Sequence, residues 1–138
     1  MMEGFLQVDG IEGECKDHRH KRWIDVFGVS WGATQEVVPK PDGSIGPGSA
    51  EVQAFRFSQV YNRASIGLFQ ACATGREIPT MVFEGVLPHG DAQVIFLRAT
   101  FSDCLVTKIE TASADEVINE DVEIVFRKVQ LDSQEKPV

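Results

Sequence analysis

Cys15, Asp17, His18 and His20 offer thiolate, carboxylate and imidazole within one short segment, the donor types of a zinc site. Their spacing matches no finger or zincin pattern, and Arg19, Lys21 and Arg22 bring positive charge that opposes a cation, so the segment reads as a solvated turn. A nucleophilic cysteine needs a base within reach and an environment that lowers its pKa. Cys72 falls on the apolar face of a short helix and reads as a core residue, while Asp103 beside Cys104 would raise a thiol pKa. Asp115, Glu116, Glu120, Asp121 and Glu123 could hold calcium, but they lack the EF-hand spacing and its glycine and read as a hairpin tip and strand face. Walker, GxGxxG and HExxH patterns are absent. The expectation is a protein that is not an enzyme, with no catalytic residues, no metal and no cofactor.

The elements that position these residues must come from a chain of 138 residues with 43% hydrophobic and 25% charged residues, the balance of one ordinary globular domain spanning 1–138. A net charge of -8 argues against nucleic acid, which demands clustered Lys and Arg to displace counterions. No apolar run is long enough to cross a membrane as a helix, and the first residues lack a basic region followed by an apolar one, so neither membrane insertion nor a conventional export signal is expected. Three cysteines without CxxC spacing suit a reducing cytoplasm.

Alternation of period two recurs: Leu6 and Val8; Phe27, Val29 and Trp31; Met81 and Phe83; Ile95, Leu97, Ala99 and Phe101. The apolar phase slips between Val52, Ala54 and Phe55, Phe57, and again where Val122, Ile124, Phe126 give way to Val129, Leu131 at Arg127 and Lys128. Slips of one residue are absorbed by bulges that bend strands around corners. The reading is mainly β, a small barrel or strongly coiled sandwich, with one helix over Ser65 to Gly75. Ser65 is its expected N-cap and Gly75 its left-handed end, with Leu68, Cys72, Phe69 and Ala73 facing the barrel. Residues 35–50 carry Pro39, Pro41, Asp42, Gly43, Gly46 and Pro47 with no apolar period, and read as a long loop that either contacts a partner or is simply flexible. Residues 132–138 read as a short tail.

The N-terminal strand leads to Ile11, Gly13, Glu14, Lys16 and Asp17, then Ile24 to Val26 and Ser30 to Gly32. Phe57 leads to Leu68, Ala71, Cys72, Gly75 and Pro79, with Leu97 to Val106 and Val122 to Val129 closing the set. In this ordered set, over about residues 4 to 131, the chain resembles the haemolysin-coregulated proteins (Hcp), the tube proteins of the type VI secretion system. It departs from them at Ile66 and Gly67, where the family tends to open its helix with proline, and at Trp23, where it tends to be polar. Gly67 is expected to weaken the first helical turn by about 1 kcal/mol.

The resemblance implies a compact two-sheet β-barrel with one short α-helix, assembled with its own copies as a homohexamer in stacked rings. The tube would be expelled from the bacterial cytoplasm without a signal peptide. Partners would be the sheath, tip and baseplate proteins and small effector proteins held in the lumen. If Phe27, Val29 and Trp31 face the core, Ile24, Val26, Gly28 and Ser30 face the other way, toward lumen or interface, and by resemblance Ser30 touches cargo. Pro39, Asp42, Gly43 and Gly46 would belong to the ring-stacking loop. The competing expectation is a free barrel that binds a ligand in its own interior, or a secreted effector acting as a monomer.

Overall fold

The computed structural model describes residues 2–90, 92–133 and 136–137. The chain runs β1 (Glu3–Val8), β2 (Ile24–Pro39), β3 (Ile45–Val60), α1 (Arg63–Thr74), β4 (Glu77–His89), β5 (Ala92–Ala114), β6 (Val117–Asp132) and β7 (Lys136–Pro137). Every strand pairing is antiparallel. Following the ladders in the order β4, β1, β2, β3, β6, β5 returns to β4, so six strands close a hydrogen-bonded circuit, and β7 adds a short pairing to β5. Closure satisfies the backbone of both flanks, which an open sheet would leave as exposed edges.

The circuit is filled by side chains. Phe55, Phe57, Phe83 and Phe101 are fully buried with Leu6, Ile24, Met81 and Ile124. The Phe55 ring lies 4.8 Å from that of Phe101 and 5.7 Å from that of Phe83, in the tilted geometry aromatic pairs prefer. These bulky residues occupy the volume a ligand would need.

The two phase slips have different origins. Opposite Val52 to Phe57, the β2–β3 register shifts between Ser30 and Gly32, the expected bulge. At Arg127 and Lys128 the β5–β6 register holds: Phe126 pairs with Cys104 and Val129 with Phe101, while Ile78 and Met81 of β4 pair with the same two residues. The inward phase therefore changes at one level in three neighbouring strands, around Asp103 with φ 55°. A bulge in β6 alone would have broken the pairing; a shared change of phase bends the wall and keeps it.

Three expectations are corrected. The helix begins at Arg63, and its N-cap is Asn62, whose side chain accepts from the Ala64 amide, while Ser65 occupies the third position and closes the capping box by accepting from the Asn62 amide. Gly75 does hold the left-handed C-cap, at φ 68°. Leu68 and Ala71 face the core with half-buried Cys72, but Phe69 and Ala73 are exposed. Gly67 lies inside the helix, where a Cβ would stand 3.1 Å from the Ile11 side chain, so a close contact explains the residue that propensity disfavours. Residues 35–50 are a hairpin arm rather than a loop: β2 and β3 stay paired as far as Pro39 and Ile45, leaving only residues 40–44 as the turn.

Candidate functional site

A further correction concerns β2. Ile24 and Val26 are buried, Phe27 is half exposed, and Val29 and Trp31 pack against the core, so the inward phase changes at Gly28. Gly28 has φ 61°, a conformation that glycine adopts without strain, and the β2–β3 register shifts across it. The bulge turns Val26 inward and leaves Gly28 and Ser30 on the outer face. Of the four residues expected on that face, Ile24 and Val26 are therefore excluded.

Gly28 and Ser30 share a shallow depression of about 310 Å³ with Arg56, Ser58, Lys108, Asp121 and Glu123. The depression is small-residue on β2 and charged on β3, β5 and β6. Arg56 Nε donates to Glu123 Oε2 at 2.9 Å, and Ser58 Oγ donates to Asp121 Oδ1 at 2.7 Å. The Thr107 hydroxyl, and then Arg56, hold the Glu123 carboxyl below the ordinary range. The surface can thus offer paired charges and hydroxyls to another protein.

At the end of the arm, Asp42 Oδ1 accepts from the Ser44 amide at 2.9 Å and from its hydroxyl at 2.5 Å, contacts that keep the Asp42 carboxyl ionised. Gly43 has φ 86°, and Gly46, paired with Val38, lies under the Lys40 stem. Pro39 pairs with Ile45 at the last rung. The four expected arm residues are thus brought together in one tip. Between Ala33 and Gln53 no residue is buried, and Val37, Val38, Ile45 and Val52 are exposed.

The segment read as a solvated turn is instead docked on the outside of β1, β4 and β5. His20 is buried, with Nδ1 2.6 Å from Asp17 Oδ2 and Nε2 2.6 Å from Glu84 Oε1. Arg98 closes the set, its Nε donating to Glu84 Oε2 at 2.6 Å. Two carboxylates facing two ring nitrogens require both nitrogens to donate, which makes the ring an imidazolium. Burial opposes that charge, but the hydrogen bonds to Glu84 and Asp17 outweigh it and raise the His20 pKa. The bond from His20 lowers Asp17; in Glu84 the bonds from His20 and Arg98 outweigh burial and lower it too. Phe5 stacks on the ring at 4.0 Å and Trp23 meets it edge-on.

Cys15 and Cys104 are buried, and burial pushes each thiol up to about 11, with Asp103 adding to the effect at Cys104. Neither is a nucleophile at neutral pH. Among the described residues no group of His, Cys, Asp and Glu could hold a metal ion. Sequence reasoning missed Glu84 and Arg98, and read His20 and Glu120 as solvated although both are buried. Phe5 and Glu84 meet the ring from segments distant in the chain, so they carry no signal of a buried histidine, whereas Trp23 lies three residues from it in the same turn.

Comparison with known proteins places these features. Residues 5–132 match the family model described as type VI secretion system effector, Hcp. The chain is 30% identical to protein hcp1 of Pseudomonas aeruginosa over 132 residues, covering 94% of this chain and 82% of that one. The crystal structure of Hcp1 from Salmonella typhimurium is similar with a TM-score of 0.79 at 27% identity, covering 96% of this chain and 85% of the other. That of a type VI secretion system effector from Yersinia pestis gives 0.77 at 27%, covering 94% and 88%.

Proposed function

Given that this chain belongs to the Hcp family of the type VI secretion system, whose tube it helps to build, we propose that its copies close into hexameric rings that stack through the β2–β3 arm and hold small effectors against the face carrying Gly28 and Ser30. The whole chain acts as one folded brick, and its role is structural rather than enzymatic. Sheath, tip and baseplate proteins are its further partners, and it leaves the bacterial cytoplasm through the machine itself.

The observation that carries the self-assembly reading is the arm. Two strands standing clear of any core are marginal in water on their own, yet here they display Val37, Val38, Ile45 and Val52. A second copy covering them would remove both liabilities. The ring is heterologous, one flank meeting a different flank until rotation closes. The competing reading, a monomeric barrel binding a ligand inside, is opposed by the phenylalanine cluster that fills the interior.

Light scattering on the purified chain tests the proposal, with a mass of six times 15.3 kDa expected. A monomer at every concentration would overturn it. Ser30→Gln is expected to leave the ring mass unchanged and to lower the effector retained with it; unchanged retention would remove Ser30 from the cargo face.

A further inference from the structure

Where β3 ends, a groove of about 350 Å³ is lined by Tyr61, Ser65, Ile66, Phe69, Gln70 and Glu120. Tyr61, Ile66 and Phe69 are exposed at 50%, 58% and 62%, whereas Glu120 is buried. The Glu120 carboxylate accepts from Gln59 Nε2 at 2.8 Å, from Thr111 Oγ1 at 2.5 Å and from the Ser65 hydroxyl. Among the described residues no Lys, Arg or His forms an ion pair with it. Gln59 Oε1, in the same buried cluster, has no hydrogen-bond partner. One buried acceptor, Gln59 Oε1, is thus left without a donor beneath an apolar rim, and a buried carboxylate without a cation is costly.

The complement lies at the other end of the same strand. Lys40 is exposed at the arm tip among the exposed apolar side chains of Val37, Val38 and Ile45. An ammonium on a flexible stem brings three donors and one positive charge. The 16 residues of β3 separate tip from groove by about 50 Å, so one molecule cannot seat its own tip. We propose that the groove over Glu120 receives the arm tip of a second copy, with Lys40 reaching the carboxylate between Ile66, Phe69 and Tyr61. Because the two surfaces lie at opposite ends, the contact is head to tail and continues from copy to copy. It rests on the tube reading and names the surface that the arm meets.

Disulfide trapping tests it. Pro41→Cys at the tip and Gln70→Cys on the groove wall, with Cys72→Ala to remove the half-buried native thiol, are oxidised and resolved on denaturing gels beside each single-cysteine variant. A reducible ladder of cross-linked chains is expected from the pair alone. Adding Lys40→Glu or Glu120→Gln should lower the ladder yield at least about tenfold, as loss of a desolvated charge partner does, while Lys40→Arg keeps it. A hexamer mass with no ladder, or a ladder indifferent to Lys40→Glu, overturns this contact and leaves the ring standing. Absence of the hexamer mass overturns the ring reading and the contact together.

Discussion

The β2–β3 pair is two different structures along its length. From Ile24 to Val29 and from Phe55 to Gln59 it is barrel wall, with Ile24, Val26, Phe55 and Phe57 buried inside the closed circuit. From Ala33 to Gln53 the same two strands have no buried residue. The backbone ladder is common to both halves, so hydrogen bonding does not distinguish them. The wall is held by apolar burial within the chain, and the arm has no such burial of its own.

The sharpest contrast comes from deleting bulk in each half. Phe55→Ala removes the ring at the centre of the aromatic cluster and is expected to cost about 3–5 kcal/mol in urea unfolding, with the oligomer lost only through the fold. His20→Leu, outside the wall, leaves Asp17 and Glu84 facing an apolar group and should cost roughly 3 kcal/mol. Gly13→Ala follows, because a Cβ there would stand 2.4 Å from the Trp23 carbonyl oxygen and push the docked segment outward, at about 1–3 kcal/mol. Ile45→Ser on the arm should change chain stability by less than about 0.5 kcal/mol while lowering the stacking of rings seen by electron microscopy. A large stability loss at Ile45, or undiminished stacking, would break the division between wall and arm.

The docked segment adds a dependence on pH through His20, Asp17 and Glu84. His20 is raised in the folded chain, so its contribution is complete below its unfolded value of about 6.5 and is lost as pH rises through the folded one. Asp17 and Glu84 are lowered, so theirs is present above about pH 4.5 and is lost as pH falls through their folded values. Urea midpoints should therefore peak between about pH 4.5 and 6.5 and decline toward pH 9. In His20→Gln the alkaline decline should flatten; a decline as steep as in the unaltered chain would assign it to other groups.

Much of this was readable from residue order alone. Alternation located the strands, Gly75 marked the end of the helix, the bulge near Phe55 followed from a slip of phase, and the ordered blocks from Ile11 to Val129 pointed to the family. Those are local signals, set by periods of two and by the conformational freedom of single residues. Other features depended on segments far apart in the chain. Gly28 reverses the phase of β2 through its pairing with β3, which sent Val26 inward although alternation from Trp31 pointed it outward. His20 became a buried imidazolium only because Glu84, 64 residues away, reaches its ring. Glu120 left an acidic strand face for the interior because Gln59, Ser65 and Thr111 converge on it. Sequence determined which stretches extend and which turn; tertiary structure decided which polar groups are buried, since that requires partners no local pattern specifies.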